Sequence, residues 1–325
     1  MATYLVTGGA GFIGSNLATE LVAKGERVRV LDNLATGRRE NLAGIEDRIE
    51  FFERDIRDLE AIIPAFDGVD YVLHQAALPS VPRSVKDPVA SNEVNVGGTL
   101  NVLLAARDSG VKRVVFASSS SVYGSNRELP KRETMLQQPI SPYAGSKLAG
   151  ESYLRAFHEV YGLETVALRY FNVFGPRQDP ASQYAAVIPL FITKMMAGES
   201  PTIFGDGEQS RDFSYVANVI HANILAATAD DGAGQVFNIA CGRQSSLNDL
   251  VRDLNEILGT RIEPEYTAPR TGDVKDSLAD ISRAREVLGY QPQVHFREGL
   301  ERAVEWYSDR AAAENPARAY AGAPS

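Results

Sequence analysis

Val6-Thr7-Gly8-Gly9-Ala10-Gly11-Phe12-Ile13-Gly14 joins a short apolar run, 4–7, to an amphipathic segment, 12–24. The first reads as a buried strand and the second as a helix. The glycines follow the spacing Gly8-x-x-Gly11-x-x-Gly14. Glycine allows the tight turn and lets backbone approach a pyrophosphate closely. The helix start adds unpaired N–H groups and the positive end of its dipole. Phe12 and Ile13 have no polar side chain and are expected to pack beneath the helix. They stand with Gly8, Gly11 and Gly14 as cofactor-binding positions.

Working outward, apolar runs at 28–32, 49–53, 71–75, 113–118 and 165–169 alternate with helix-like segments at 59–66, 89–109 and 142–161. Strands of four to eight apolar residues between helices call for a parallel sheet covered on both faces. The expected fold is therefore α/β, a Rossmann-type doubly wound sheet with a smaller mixed α/β domain. After Asn172 the texture changes, with Pro and Gly clustered at 174–180, 198–207 and 264–272. The expected division is 1–172 for the dinucleotide domain and 173–311 for the substrate domain, some of which returns to the first. Residues 312–325 are expected to be a flexible tail.

The second strand ends at Asp32, 18 residues beyond Gly14. A carboxylate there accepts from both adenosine ribose hydroxyls and repels a 2′-phosphate, which favours NAD over NADP. Arg38 and Arg39 weaken that preference slightly. Asp55 and Ile56 close the next strand, where Asp55 either reaches the adenine edge or caps a turn.

The run Ser118-Ser119-Ser120-Ser121 closes the strand 113–118, facing the ligand crevice of such a sheet. Tyr143 and Lys147 are four apart on a helix and share a face. A free phenol, with a pKa of about 10, is too weakly acidic to act as a base at neutral pH. A nearby ammonium and a positive nicotinamide ring would lower it.

These motifs together resemble the extended short-chain dehydrogenase/reductase superfamily and, within it, the nucleotide-sugar 4-epimerases acting on UDP-glucose or UDP-N-acetylglucosamine. The resemblance spans 4–307. Besides the glycine turn it rests on Asp32-Asn33, Asp55-Ile56-Arg57, His74-Gln75-Ala76-Ala77, Asn95-Val96-x-Gly98-Thr99, Tyr143-x-x-x-Lys147, Arg169-Tyr170-Phe171-Asn172-Val173-Phe174-Gly175-Pro176 and Arg211-Asp212-Phe213. It implies NAD as cofactor, Tyr143 as general acid/base, Lys147 as the lysine on the nicotinamide ribose, and Ser119 as hydrogen-bond partner of the reacting 4-hydroxyl. It implies further cofactor contacts at Asn33, Gly37, Gln75, Ala76, Ala77, Asn95, Ser118 and Tyr170. Substrate contacts are implied at Asn172, Val187, Arg211, Arg270, Asp273 and Ser277.

Relatives that remove water across the 4,6-positions carry an Asp-Glu pair where this chain has Ser120-Ser121. Serine cannot act as a carboxylate acid or base, so epimerisation is favoured over dehydration. A small residue at Ser277 tends to admit N-acetyl sugars. Arg83 either neutralises a C6 carboxylate or faces solvent, which keeps a UDP-uronate 4-epimerase or decarboxylase as an alternative. A non-catalytic NAD-binding scaffold is the alternative from another class. The resemblance also implies a homodimer through a four-helix bundle, with Leu100, Leu103, Leu104, Leu148, Leu154 and Phe157 on the helices concerned.

Composition sets outer bounds on these readings. The 325 residues carry 33 Lys and Arg against 42 Asp and Glu, a net charge of −9. That opposes broad binding to nucleic acid polymers or anionic membranes. One cysteine, Cys241, precludes an intrachain disulfide and fits a reducing, cytoplasmic setting. The N-terminus lacks a basic leader, so no signal peptide is expected. His74, His158, His221 and His295 lack metal-ligand spacing, so no metal is expected.

Overall fold

A computed structural model describes residues 1–180, 186–269 and 275–314. The first half runs β1 (Thr3–Thr7), α1 (Phe12–Ala23), β2 (Arg27–Asp32), β3 (Ile49–Glu53), α2 (Leu59–Ile62), β4 (Tyr71–His74), α3 (Val81–Lys86), α4 (Pro88–Asn92), α5 (Thr99–Asp108), β5 (Arg113–Ser119), α6 (Pro142–Tyr161) and β6 (Glu164–Tyr170). The second runs β7 (Val173–Phe174), α7 (Val187–Met196), β8 (Thr202–Phe204), β9 (Ser210–Arg211), β10 (Ser214–Tyr215), α8 (Val216–Thr228), β11 (Gln235–Ile239), β12 (Ser245–Ser246), α9 (Leu247–Leu258), β13 (Glu265–Thr267), α10 (Ser282–Leu288) and α11 (Phe296–Glu314).

Seven strands form one sheet in the order β11-β6-β5-β4-β1-β2-β3, and every neighbouring pair is parallel. The order reverses between β1 and β4, which opens the crevice where ligands of doubly wound sheets bind. Adjacent residues on a strand point to opposite faces. Leu5 accordingly enters one core with Val102, Leu103, Leu154 and Phe157 of α5 and α6. Val6 enters the other with Leu17 and Leu21 of α1 and Ala222 and Ala226 of α8. A third core joins Phe191, Phe213, Tyr215, Leu250, Leu254 and Leu300 from the second half.

Three features depart from the strand and helix spans expected from sequence. The edge strand β11 comes from the second half of the chain. The segment expected as one helix over 89–109 instead contains α4, a widened π-type turn over Glu93–Gly98, and α5. A further short helix, α3, lies before them.

The helix carrying Tyr143 is well delimited. Ser141 Oγ accepts from Ala144 N at 3.1 Å, Pro142 takes the first helical position, and Gly162 ends the helix at φ 70°. Tyr143 and Lys147 thus occupy its first two turns, beside the end of β5. Among the described residues no helix is long and apolar enough to cross a membrane.

Candidate active site

At the end of β1, Gly8 adopts φ +66°. A Cβ on Gly8 would lie 2.6 Å from Ala76 N, and one on Gly14 would lie 2.2 Å from Gly8 O. Any side chain at either position collides with backbone, so turn and helix start are packed as a bare backbone cradle. Gly11, Phe12 and Ile13 open α1 beside it, and Phe12 and Ile13 pack against the third core.

Asp32 is buried at the end of β2 and accepts from Ala10 N at 2.9 Å and Leu34 N at 2.8 Å. Burial raises its pKa. Gly37 crosses directly over the carboxylate, where a Cβ would meet Asp32 oxygens at 2.8 and 2.9 Å. Asn33 Nδ2 donates to Asp55 Oδ2 at 2.8 Å. Asp55 is also bound by Arg57, whose hydrogen bonds hold its pKa down at about 2. Ile56 is buried against Gly98.

On the other side of the crevice, Gln75 Nε2 donates to the Tyr170 hydroxyl at 3.2 Å and to Asn223 Oδ1 at 3.1 Å. Asn223 Nδ2 donates to Tyr170 at 2.8 Å, so this phenol is enclosed in a network. Burial raises the Tyr170 pKa. Ala76 N donates to Thr7 Oγ1 at 3.3 Å, and Ala77 follows on the same segment. His74 sits between Thr7 Oγ1, at 2.6 Å, and Thr99 Oγ1, at 3.0 Å. Burial depresses its pKa to about 3, so it is neutral and structural. Asn95 lies within the π-type turn. Its Oδ1 accepts from Leu78 N at 2.7 Å and its Nδ2 donates to Ser146 Oγ at 3.0 Å, tying the segment after β4 to α6.

Ser119, Tyr143 and Lys147 come together at the end of β5. Ser119 Oγ accepts from Ser121 N at 3.2 Å, which turns the chain away and leaves its proton for another acceptor. Lys147 Nζ donates to Ala117 O at 2.8 Å and lies 5.9 Å from the Tyr143 ring centroid. It has no carboxylate partner among the described residues, and burial pulls its pKa to about 7. Burial also raises the Tyr143 pKa, while a hydrogen bond with Ser119 lowers it. In the chain alone the phenol is therefore shifted away from the direction a base requires. A positive group beside it is what would reverse the shift. The bare backbone of the glycine cradle, at the start of α1, is the kind of surface that suits a pyrophosphate, and Lys147 stands buried near Tyr143 at the end of β5.

Asn172, Val187 and Arg211 line a cavity of about 320 Å³ walled by Phe191, Phe204 and Phe213. Asn172 stands at φ 38°, and its Nδ2 donates to Asp212 O at 3.2 Å. Arg211 Nη1 donates to Ser210 O and Lys275 O, each at 2.9 Å. Ser277 N donates to Ser210 O at 3.1 Å, which puts Ser277 beside Arg211. Arg270 and Asp273 lie outside the described residues.

Several polar residues to which the sequence alone assigned no role hold these groups in place. Asp212, fully buried, accepts from Cys241 N at 2.9 Å, Gly242 N at 3.0 Å and Ala279 N at 3.2 Å. It thereby binds the loop of Arg211 to the segment of Ser277. Ser84 Oγ accepts from Tyr143 N at 3.0 Å. Glu151 and Arg169 form a buried pair beneath α6. Glu151 follows Lys147 by four residues, a spacing that could have marked it.

Residues 4–240 match the model of the NAD dependent epimerase/dehydratase family. A UDP-glucose 4-epimerase of Mycolicibacterium smegmatis is 43% identical over 311 residues, covering 94% of this chain and 98% of the relative. A UDP-N-acetylglucosamine 4-epimerase of Methanobrevibacter ruminantium, solved in complex with UDP-N-acetylmuramic acid, superposes with a TM-score of 0.90 at 44% identity, covering 95% of this chain and 99% of that one. A UDP-glucose 4-epimerase of Thermotoga maritima, solved with UDP-glucose, superposes with a TM-score of 0.91 at 42% identity over 95% and 99% of the two chains.

Proposed function

Because this chain belongs to the NAD dependent epimerase/dehydratase family, we propose that it is a UDP-hexose 4-epimerase interconverting UDP-GlcNAc with UDP-GalNAc and UDP-glucose with UDP-galactose. The observation that carries the reading is the meeting of Ser119, Tyr143 and Lys147 at the end of β5, with Ser120 and Ser121 in place of an acidic pair. In this reading residues 1–172 hold the cofactor and 173–311 the sugar nucleotide, with Gln235–Ile239 returning to the first sheet.

The glycine turn and the start of α1 would hold the NAD pyrophosphate, Asp32 the adenosine ribose, and Lys147 the nicotinamide ribose. When bound, NAD supplies reversible hydride acceptance from C4 of the sugar, through a transient 4-keto form. Tyr143 takes the proton from the 4-hydroxyl and returns it. Ser119 hydrogen-bonds the same oxygen. Asn172 and Arg211 hold the diphosphate and uridine side, where a guanidinium suits anionic oxygens. Incubating the purified protein with each UDP-hexose and following interconversion tests this. Absence of turnover on all of them would overturn it.

The choice of sugar rests on Ser277. Ser277→Tyr is expected to reduce turnover of UDP-GlcNAc selectively, with UDP-glucose turnover retained. Equal loss on both would remove Ser277 from the pocket.

We also propose a cytoplasmic homodimer. Val89 on α4 and Val160 on α6 are exposed, Tyr153 on α6 is partly so, and Leu100, Leu104 and Leu148 are only partly covered. Leu103, Leu154 and Phe157, by contrast, belong to the core of one chain. Sedimentation is expected to give a dimer at micromolar concentration, and Leu104→Glu a monomer. A wild-type monomer would count against this face.

A further inference from the structure

We propose that the buried Glu151–Arg169 pair is a positioning device that sets the catalytic helix against the sheet and so fixes the Tyr143 hydroxyl at the reacting oxygen. The inference rests on Tyr143 being the proton carrier, and it concerns residues with no part in the chemistry itself.

Tyr143, Lys147 and Glu151 are successive four-residue steps along α6 and share the face turned toward the sheet. Among the described residues Lys147 makes one hydrogen bond, to Ala117 O, and its Nζ lies 4.9 Å from the Phe116 ring centroid. Glu151 is gripped far more firmly. Its Oε1 accepts from Ser118 Oγ at 2.5 Å and from Arg169 Nε at 2.9 Å, and its Oε2 accepts from Arg169 Nη2 at 2.7 Å. The bidentate pair fixes orientation as well as distance. Ser118 immediately precedes Ser119, so one carboxylate ties the helix of Tyr143 to the strand of its partner.

The contact continues across the sheet. Ser118, Arg169 and Asn238 are in register on β5, β6 and β11 and project from one face. Arg169 Nη1 makes no hydrogen bond among the described residues, and the guanidinium lies 4.8 Å from the Tyr123 ring centroid. The Tyr123 hydroxyl donates to Asn238 Oδ1 at 2.7 Å. Asn238 Nδ2 donates to Lys131 O at 2.8 Å and to Asp280 O at 3.1 Å. Lys131 N in turn donates to Leu278 O at 2.8 Å, one residue from Ser277. A single buried polar row thus runs from the helix of Tyr143 to the segment proposed to line the sugar pocket.

Stability alone does not account for the pair. Desolvating two charges offsets most of their attraction, and apolar residues of similar volume often serve as well. Glu151 and Arg169 side chains are 6% and 3% exposed, so the desolvation is close to complete.

That contrast supplies the test. Glu151→Gln, the double variant Glu151→Leu/Arg169→Met and Tyr143→Phe are made in the full chain with NAD bound. Melting temperature, kcat and KM are measured on the UDP-hexose that wild type turns over. The double variant is expected to melt near wild type while its kcat falls about 100-fold, the scale of a 1 Å misplacement. Glu151→Gln is expected to lower kcat with little change in KM, and it decides the matter if the double variant does not fold. Wild-type kcat in a stably folded double variant, or a Glu151→Gln whose only change is in KM or melting temperature, would overturn the proposal. Retained turnover in Tyr143→Phe would instead overturn the assignment of the proton carrier.

Discussion

Tyr143→Phe is expected to cut turnover by about 10²- to 10⁴-fold, the usual contribution of a positioned acid/base, while the protein keeps its fold and its bound NAD. The substitution removes one oxygen. The ring stays available to pack near Lys147, whose Nζ lies 5.9 Å from its centroid. The backbone N of residue 143 still donates to Ser84 Oγ. What is lost is the group proposed to exchange a proton with the sugar. Burial raises the phenol pKa and the Ser119 hydrogen bond opposes that rise, so Ser119→Ala should also lower kcat, though less. The measurement is kcat and bound NAD on the same preparation. Unchanged turnover would remove Tyr143 from the chemistry, and loss of NAD would mean the residue serves chiefly to build the site.

The parallel sheet and the first half of the candidate site were legible because they depend on local signals. Each strand from 4–7 to 165–169 is a short apolar run, and each glycine of the turn stands at a fixed offset from the strand before it. Tyr143 and Lys147 are four apart on one helix, which brings them together without knowledge of the tertiary fold. The rest is non-local. Gln235–Ile239 pairs with β6 across a long excursion, and nothing in its own five residues says which sheet it joins. Asp212 binds the segments at 241–242 and 279, and Arg169 meets Glu151 from a different element, so their roles exist only after folding. The break at 93–98 was hidden because a π-type turn keeps the apolar pattern of a helix while changing its pitch. The apolar pattern likewise could not say which leucines are covered by the chain's own core and which face outward.

Gly8→Ala is expected to abolish NAD retention and to destabilise the fold by about 2–5 kcal/mol. Two independent costs add at this position. Gly8 sits at φ +66°, where an L side chain costs about 1–2 kcal/mol. Its Cβ would also lie 2.6 Å from Ala76 N, 2.7 Å from Ala76 Cα and 2.9 Å from Gln75 C. All three are backbone atoms between β4 and the crevice, so relief requires moving β1 away from β4 or the turn away from the helix start. Overpacking of that kind costs about 1–3 kcal/mol. Either movement displaces the N–H groups proposed to hold the pyrophosphate. Gly25→Ala separates the two costs, because Gly25 has φ +79° but nothing within 4 Å of its Cβ. It is expected to lose about 1–2 kcal/mol in denaturant titration and to keep NAD. If Gly8→Ala behaves like Gly25→Ala in both stability and NAD content, close approach at the turn is not what the cofactor site depends on. A larger loss at Gly8 assigns the difference to the space between β1 and the segment after β4, the point where the strand order reverses.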